Sequence, residues 1–450
     1  MSEARRHLGA GAALSVVVQG GPLLAAGVLS VVIARTIGPS GNGHFALLVT
    51  LTGMTAMVFS LGLSAGLTHE VSRRRWSVAR AARTSYGVAL VLGVIGFLAG
   101  VGVFALLHDS VFHGVETKLA VLALASLPPV LAYQFADSIL LARERYEGYA
   151  GLELSHSATL LAVSAGLVVP FGLTGAVIGL PAAAVVGALV GLFLLVRAAR
   201  GDRVSGGSGS LPRAVRFGLQ TWGANLLQQV NYRFDVIILA GFATARDVGV
   251  YSVALTLTGI AWVLPQALQT VLFPRTASLD ESAIIGEATS GESDDAVARA
   301  IRHGVLLTLP AGLGVTALLL IAVPLLYGEP FHQTIPLGFV LLPGVLLLGV
   351  GKILGSVVTG RGYPRYGLYG AAVSMPLTLA LYLGLIPVFG AWGAAAASSL
   401  SYAASAALAT VFFRRVTVIG LREAFVPTRD DLTDYRAATV LARSRFARGR

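Results

Sequence analysis

The stretch TSYGVALVLGVIGFLAGVGVFALL, residues 84–107, runs for 24 positions without a charged side chain. As a helix rising 1.5 Å per residue it is about 36 Å long, enough to cross a hydrocarbon core of roughly 30 Å. Arg80 and Arg83 precede it, and His108 and Asp109 follow it. Working outward, comparable apolar stretches lie near 10–34, 44–67, 119–141, 151–169 and 175–196. More follow near 214–242, 250–273, 301–323, 337–359, 368–386 and 392–413. Hydrophobic residues make up 55% of the 450 positions and charged ones 12%, against about 25% charged in a soluble chain. A soluble enzyme and a disordered chain are excluded, and the absence of cysteine excludes a disulfide scaffold. The pattern predicts an all-α polytopic membrane protein with about 12 transmembrane helices.

The charges orient this arrangement. The chain has 33 Lys and Arg and a net charge of +11. With the N-terminus inside, 28 of the 33 fall in cytoplasmic segments. Three (Arg35, Lys118 and Arg246) fall outside, and two (Arg233 and Lys352) lie within spans. Such asymmetry places both termini in the cytoplasm of a multi-pass protein of the cell membrane. It also makes the excess charge a topology signal rather than a nucleic-acid footprint. Arg5 and Arg6 precede an apolar run from Leu8 to Ala34 that is too long for a signal-peptide core and reads as a retained first span.

The one Gly/Ser-rich linker, RGDRVSGGSGSLPR at 200–213, separates spans six and seven. The two sides repeat each other. GHFALLVTLTG at 43–53 aligns without gaps on GVYSVALTLTG at 249–259, and PFGLTGA at 170–176 echoes PVFGAWGA at 387–394. Six spans in each repeat make the halves parallel, related by an axis along the membrane normal. The expected organisation is a six-helix lobe at 1–199, a cytoplasmic linker at 200–213, a second six-helix lobe at 214–415 and a basic cytoplasmic tail at 416–450.

ARTIGPSGNGHF at 34–45 resembles the loop after the first span of polysaccharide and oligosaccharide-lipid flippases. Asp235 to Gly241, Val248 to Tyr251 and Leu272 to Arg275 resemble their seventh and eighth spans, and LIPVFGAWGAA at 385–395 the approach to their last ones. The match covers most of residues 8–415 and belongs to the multidrug/oligosaccharidyl-lipid/polysaccharide exporter superfamily. The resemblance implies a V-shaped pair of lobes that move lipid-linked sugars from the cytoplasmic to the outer leaflet.

Candidate site residues concentrate in span seven. Thr221, Asn225, Gln228, Tyr232 and Asp235 share one helical face, with Gln229 and Arg233 flanking it. Such a row lines a cavity or serves as interhelical hydrogen-bond glue. The terminal ionisable groups favour a substrate-binding cavity, although each could instead snorkel to the outer interface. Asp137 in span four and Lys352 in span ten are intramembrane charges for coupling or for pairing inside their own lobe. Registering Arg145-Tyr146 on Gly362-Tyr363 puts the two within about a turn of each other. Lys352 is no nucleotide-binding lysine, because Val350 follows the second glycine of Gly344-x-x-x-x-Gly349. Gly20, Gly21 and Pro22 in span one and Pro265 in span eight are candidate hinges, with static kinks as the plain alternative. His108 and His113 lack a third metal ligand, and no catalytic or cofactor motif occurs.

Three functions remain. The first is a flippase for an isoprenoid-linked oligosaccharide or polysaccharide unit, with a glycan polymerase or glycosyltransferases as further partners. The second is an ion-coupled multidrug exporter on the same fold, which would need acidic groups to dominate the cleft. The third is a non-transporting membrane component of a glycan assembly complex.

Overall fold

A computed structural model describes residues 2–202, 209–263, 265–266, 290–363, 365–426 and 428. Among them all regular structure is helical, the arrangement that satisfies every backbone polar group within lipid. In chain order the helices are α1 (Ser2–Ser60), α2 (Leu63–Ser72), α3 (Val78–Leu107), α4 (Thr117–Leu124), α5 (Leu127–Ala142) and α6 (Tyr146–Ala199). They continue with α7 (Leu211–Phe242), α8 (Ala245–Gly259), α9 (Ser290–Ala322), α10 (Thr334–Gly360), α11 (Arg365–Val416) and the short α12 (Leu421–Phe425). A 3-10 turn, Ile260–Trp262, extends α8, and a π turn, Val323–Tyr327, ends α9.

Seven helical segments among the described residues are long and apolar enough to cross a membrane. Three of them are too long for a single crossing. A straight α6 of 54 residues would reach about 80 Å, so the chain turns inside it. The turn is at Gly172 (φ 57°, ψ −137°), and α11 turns the same way at Gly390 (φ 55°, ψ −130°). These glycines occupy one position of the repeat, where Gly172-Leu-Thr-Gly175-Ala176 lies on Gly390-Ala-Trp-Gly393-Ala394. A side chain would be strained at that φ. Three residues later, a Cβ on Gly175 or Gly393 would collide with the carbonyl of Leu167 or Leu385. Both corners are thus built from the same two glycines, and both fall at span breaks read from hydropathy. Helix α1 bends at Gly38 (φ 69°, ψ −175°), between the first two expected spans.

The fourth expected span differs from the sequence reading. It is two helices, α4 and α5, broken around Ala125 and Ser126. Pro128 and Pro129 follow at the start of α5. Proline lacks the N–H that would continue α4 but fits the first turn of a new helix.

The chain packs as two compact units. The first comprises Met1–Leu257, Leu319–Gly338 and Met375–Ser398. It therefore holds the whole first repeat, α7, most of α8, and the parts of α9 to α11 that the charge asymmetry assigns to the outside. Within it, Leu29 and Ile33 of α1 pack with Val168 and Ala176 of α6. Asp202 accepts the Val78 N–H at 2.7 Å and pairs with Arg143 at 3.0 Å, which ties the chain after α6 to α3 and α5. The second unit comprises Thr258–Leu318, Phe339–Ser374 and Ser399–Arg450. Its core includes Ile301, Ile353, Val357, Phe413 and Ile419.

Candidate functional site

Helix α7 falls outside the seven apolar segments because its polar residues lower its hydropathy. Asn225, Gln228, Gln229 and Arg233 are exposed, and Tyr232 is half-buried with Gln228 in hydrogen-bonding reach. The side chain of Thr221 lies outside the described residues. The row therefore divides. Four polar groups remain open, whereas Asp235 is completely buried. Positions i and i+2 point to different sides of a helix, so Asp235 turns into the protein and Arg233 away from it.

Asp235 sits among partners from three helices. Its Oδ1 accepts the N–H of Val236 at 2.8 Å. Its Oδ2 accepts the Tyr251 hydroxyl of α8 at 2.6 Å, and the Ser398 hydroxyl of α11 lies at 3.4 Å. Ser398 Oγ is in turn 3.0 Å from the Tyr251 oxygen and 3.1 Å from that of Tyr382. All four side chains are buried in the first unit. A desolvated carboxylate needs donors of this kind. Tyr251 lay in a segment quoted for its family resemblance, but no periodicity could attach Tyr382 and Ser398 to Asp235.

The other charged candidates fall in two places. In the first unit Asp137 is half-buried on α5, and its Oδ1 has no hydrogen-bond partner among the described residues. Nearby, the Tyr133 hydroxyl donates to Glu153, and the Tyr133 ring stacks on His156 with centroids 4.5 Å apart. In the second unit the Lys352 ammonium lies 4.3 Å from the centroid of the Trp262 ring, a cation–π contact. The indole N–H of Trp262 donates to the Val345 carbonyl at 3.1 Å, and its ring meets Tyr402 at 5.8 Å. The positive-φ turns at Glu144 and Gly362 align the repeats so that Lys352 falls on Gln134, one turn from Asp137.

The candidate hinges are helical. Gly20, Gly21 and Pro22 continue α1 without a break, and among the described residues of that helix the non-helical backbone is at Gly38. A Cβ on Gly21 would lie 2.6 Å from Leu154, so α6 packs closely there. Pro265 follows the 3-10 turn and lies against Gly349 of α10.

The repeats meet directly within the first unit. A Cβ on Gly43 would strike the carbonyl of Ala245, and one on Gly249 would strike that of Pro39. These are the same contact with the halves exchanged, since Gly43 aligns with Gly249 and Pro39 with Ala245 in the repeat. Backbones this close leave no room for any side chain but hydrogen. Asn42 Nδ2 adds hydrogen bonds to the Gly249 carbonyl and the Ser252 hydroxyl, each at 3.0 Å.

Known proteins share this architecture. The structure superposes on an inward-facing multidrug resistance MATE family transporter of the MOP superfamily with a TM-score of 0.72. That match covers 89% of this chain and 97% of the other at 16% identity. With the lipid II flippase MurJ in an inward closed conformation the TM-score is 0.71, over 91% and 88% of the two chains at 12% identity. In sequence, the probable low-salt glycan biosynthesis flippase Agl15 of Haloferax volcanii is 26% identical over 174 residues. That stretch is 39% of this chain and 36% of the relative, so the alignment spans little more than a third of the curated protein. The chain is thus a multi-span helical membrane protein with the exporter fold of these transporters. Residues 8–280, more than half the chain, match the model of one family along their whole length. By that match the chain belongs to the polysaccharide biosynthesis protein family.

Proposed function

We propose that this chain is a flippase. It carries an isoprenoid-linked oligosaccharide or polysaccharide unit from the inner to the outer leaflet by alternating access, with residues 1–199 and 214–415 as the moving lobes. The carrying observation is the open polar row of α7 that ends in Arg233. A cation at the centre of a membrane helix costs about 2.5–3.5 kcal/mol on insertion scales, so an open row of amides and a guanidinium belongs against water, not lipid tails. Carboxamides bond sugar hydroxyls through both donors and acceptors, and guanidinium grips a phosphate through two parallel bonds at every physiological pH. The polysaccharide biosynthesis family and the flippase relative support this substrate class. The work is transport, with no bond made or broken. The setting is the cell membrane, with both termini cytoplasmic and with enzymes that build or polymerise the glycan as partners.

The test is surface glycan in a null strain complemented with each variant at matched expression. Arg233→Ala should abolish it and Arg233→Lys should restore part, whereas full export by Arg233→Ala would remove the anion site. Asp137 near Glu153 supports a second reading, an ion-coupled exporter of cationic drugs. On that reading Asp137→Asn abolishes export and Arg233→Ala leaves it intact.

A further inference from the structure

We propose that Arg35 is the latch of the outer gate, and that the gate opens when its guanidinium leaves the carbonyl end of α9. The inference rests on the transport reading in needing an outer opening. Arg35 closes the first arm of α1, three residues before the bend at Gly38. Its Nε donates to the Leu326 carbonyl at 2.6 Å and its Nη2 to the Leu325 carbonyl at 2.7 Å, across 290 residues of sequence. Those carbonyls point outward for a reason. The π turn closes with the Gly328 N–H on the Val323 carbonyl, and Gly328 then leaves the helix at φ 86°. The last carbonyls of a helix carry its negative dipole end and lack helical donors. A guanidinium there satisfies two of them in one planar grip. One turn earlier in α1, Ser30 accepts the Tyr327 hydroxyl at 3.2 Å, which holds the same two elements together.

The repeat shows that this grip is an addition to the scaffold. The glycine contact of Gly43 and Gly249 is two-fold symmetric, but the repeat mate of Arg35 is Gly241. There the neighbouring group is again a carbonyl, that of Ser110, 3.8 Å from where a Cβ would stand. A backbone carbonyl therefore lies near the repeat-related position on both sides, and one side alone carries a cation there. Arg35 is also one of only three Lys or Arg on the outer side of a chain that has 33, and it is exposed. An exposed charge-assisted bond exchanges with water more readily than a packed apolar contact, which suits a closure that must break in every cycle.

The chain has no cysteine, so the gate can be read by a single introduced thiol. Leu47 lies one turn inward of Gly43 and is 2% exposed. The labelling rate of Leu47→Cys by a membrane-impermeant maleimide, applied outside intact cells, reports opening. Leu131→Cys, inside α5 and 0% exposed, reports general loosening. Arg35→Gln should speed labelling at 47 about tenfold, the change expected when one decade is removed from a closed–open equilibrium, and leave 131 unchanged. Arg35→Lys keeps the charge but not the two-pronged grip and should fall between. Arg246→Gln, another outer arginine, should match the parent. If Arg35→Gln loosens both positions, Arg35→Lys decides the matter, because it retains the fold-stabilising charge. A parent-like rate at 47 in Arg35→Lys then overturns the latch, as does an unchanged rate in Arg35→Gln. Because labelling reads the gate and surface glycan reads transport, unchanged labelling with intact export would remove the latch and leave the flippase reading standing.

Discussion

A carboxylate with no exposed surface persists in α7 because each of its two oxygens has a donor within reach. Removing Asp235 would take from the Tyr251 hydroxyl its carboxylate acceptor in a dry site, at about 1–3 kcal/mol for a group left unsatisfied. Asp235→Ala should therefore lower the thermal unfolding temperature of the purified protein, and Asp235→Asn, which still accepts from Tyr251, should lower it less. An Asp235→Ala protein as stable as the parent would show that the network contributes nothing. Helical spacing alone put Asp235 on one face with Asn225 and Gln228, and that much was legible. Whether the edge of a polar face meets water or a neighbouring helix depends on what packs there. Tyr251 is 16 residues away and Ser398 is 163, and no period links such positions. Lys352 repeats the lesson, since its aromatic support is Trp262, 90 positions earlier. Arg233 was better placed for prediction, because lipid makes any open cation conspicuous in the sequence itself.

At the scale of elements, the glycine corners of α6 and α11 were readable because the repeat displays each of them twice. The break between α4 and α5 was readable in principle from Pro128-Pro129, but hydropathy runs smoothly through it. Gly20-Gly21-Pro22 is a candidate hinge within the first span, where proline removes a backbone bond, yet the helix is regular there, and the turn at Gly38 falls at the expected break between spans one and two. A membrane helix accommodates an internal proline when its neighbours pack well, and α6 packs tightly against Gly21. Pro22→Ala should therefore fold normally. If Pro22 acts as a hinge during transport, the variant should shift the distance distribution between spin labels on the two lobes and reduce glycan export. Unchanged distances and export would make Pro22 a static feature of α1.

For the whole molecule, the charge asymmetry of the expected spans, which assigns 28 of 33 cations to one side, predicts the orientation. Arg73→Cys and Arg422→Cys, both at exposed positions, should resist impermeant maleimide in intact cells and react once the membrane is opened. Labelling of either from outside would reverse the topology and with it the assignment of inner and outer gates. The duplicated fold also gives asymmetry a meaning. Where the halves match, as at Gly43 and Gly249 or Gly172 and Gly390, the residues build the scaffold. Where they differ, as at Arg35 and Gly241 or Lys352 and Gln134, the chemistry has diverged. The central claim is that a lipid-linked glycan crosses the bilayer through this chain. Its most direct test is reconstitution of the purified protein into liposomes holding a fluorescent isoprenoid-pyrophosphate-linked oligosaccharide, with the outer-leaflet fraction read by an impermeant quencher. Liposomes holding the protein should equilibrate the label between leaflets, while Arg233→Ala and protein-free liposomes leave about half of it protected, the share of the inner leaflet. Protection at that level with the native chain, under imposed sodium and proton gradients of either direction, would contradict the account.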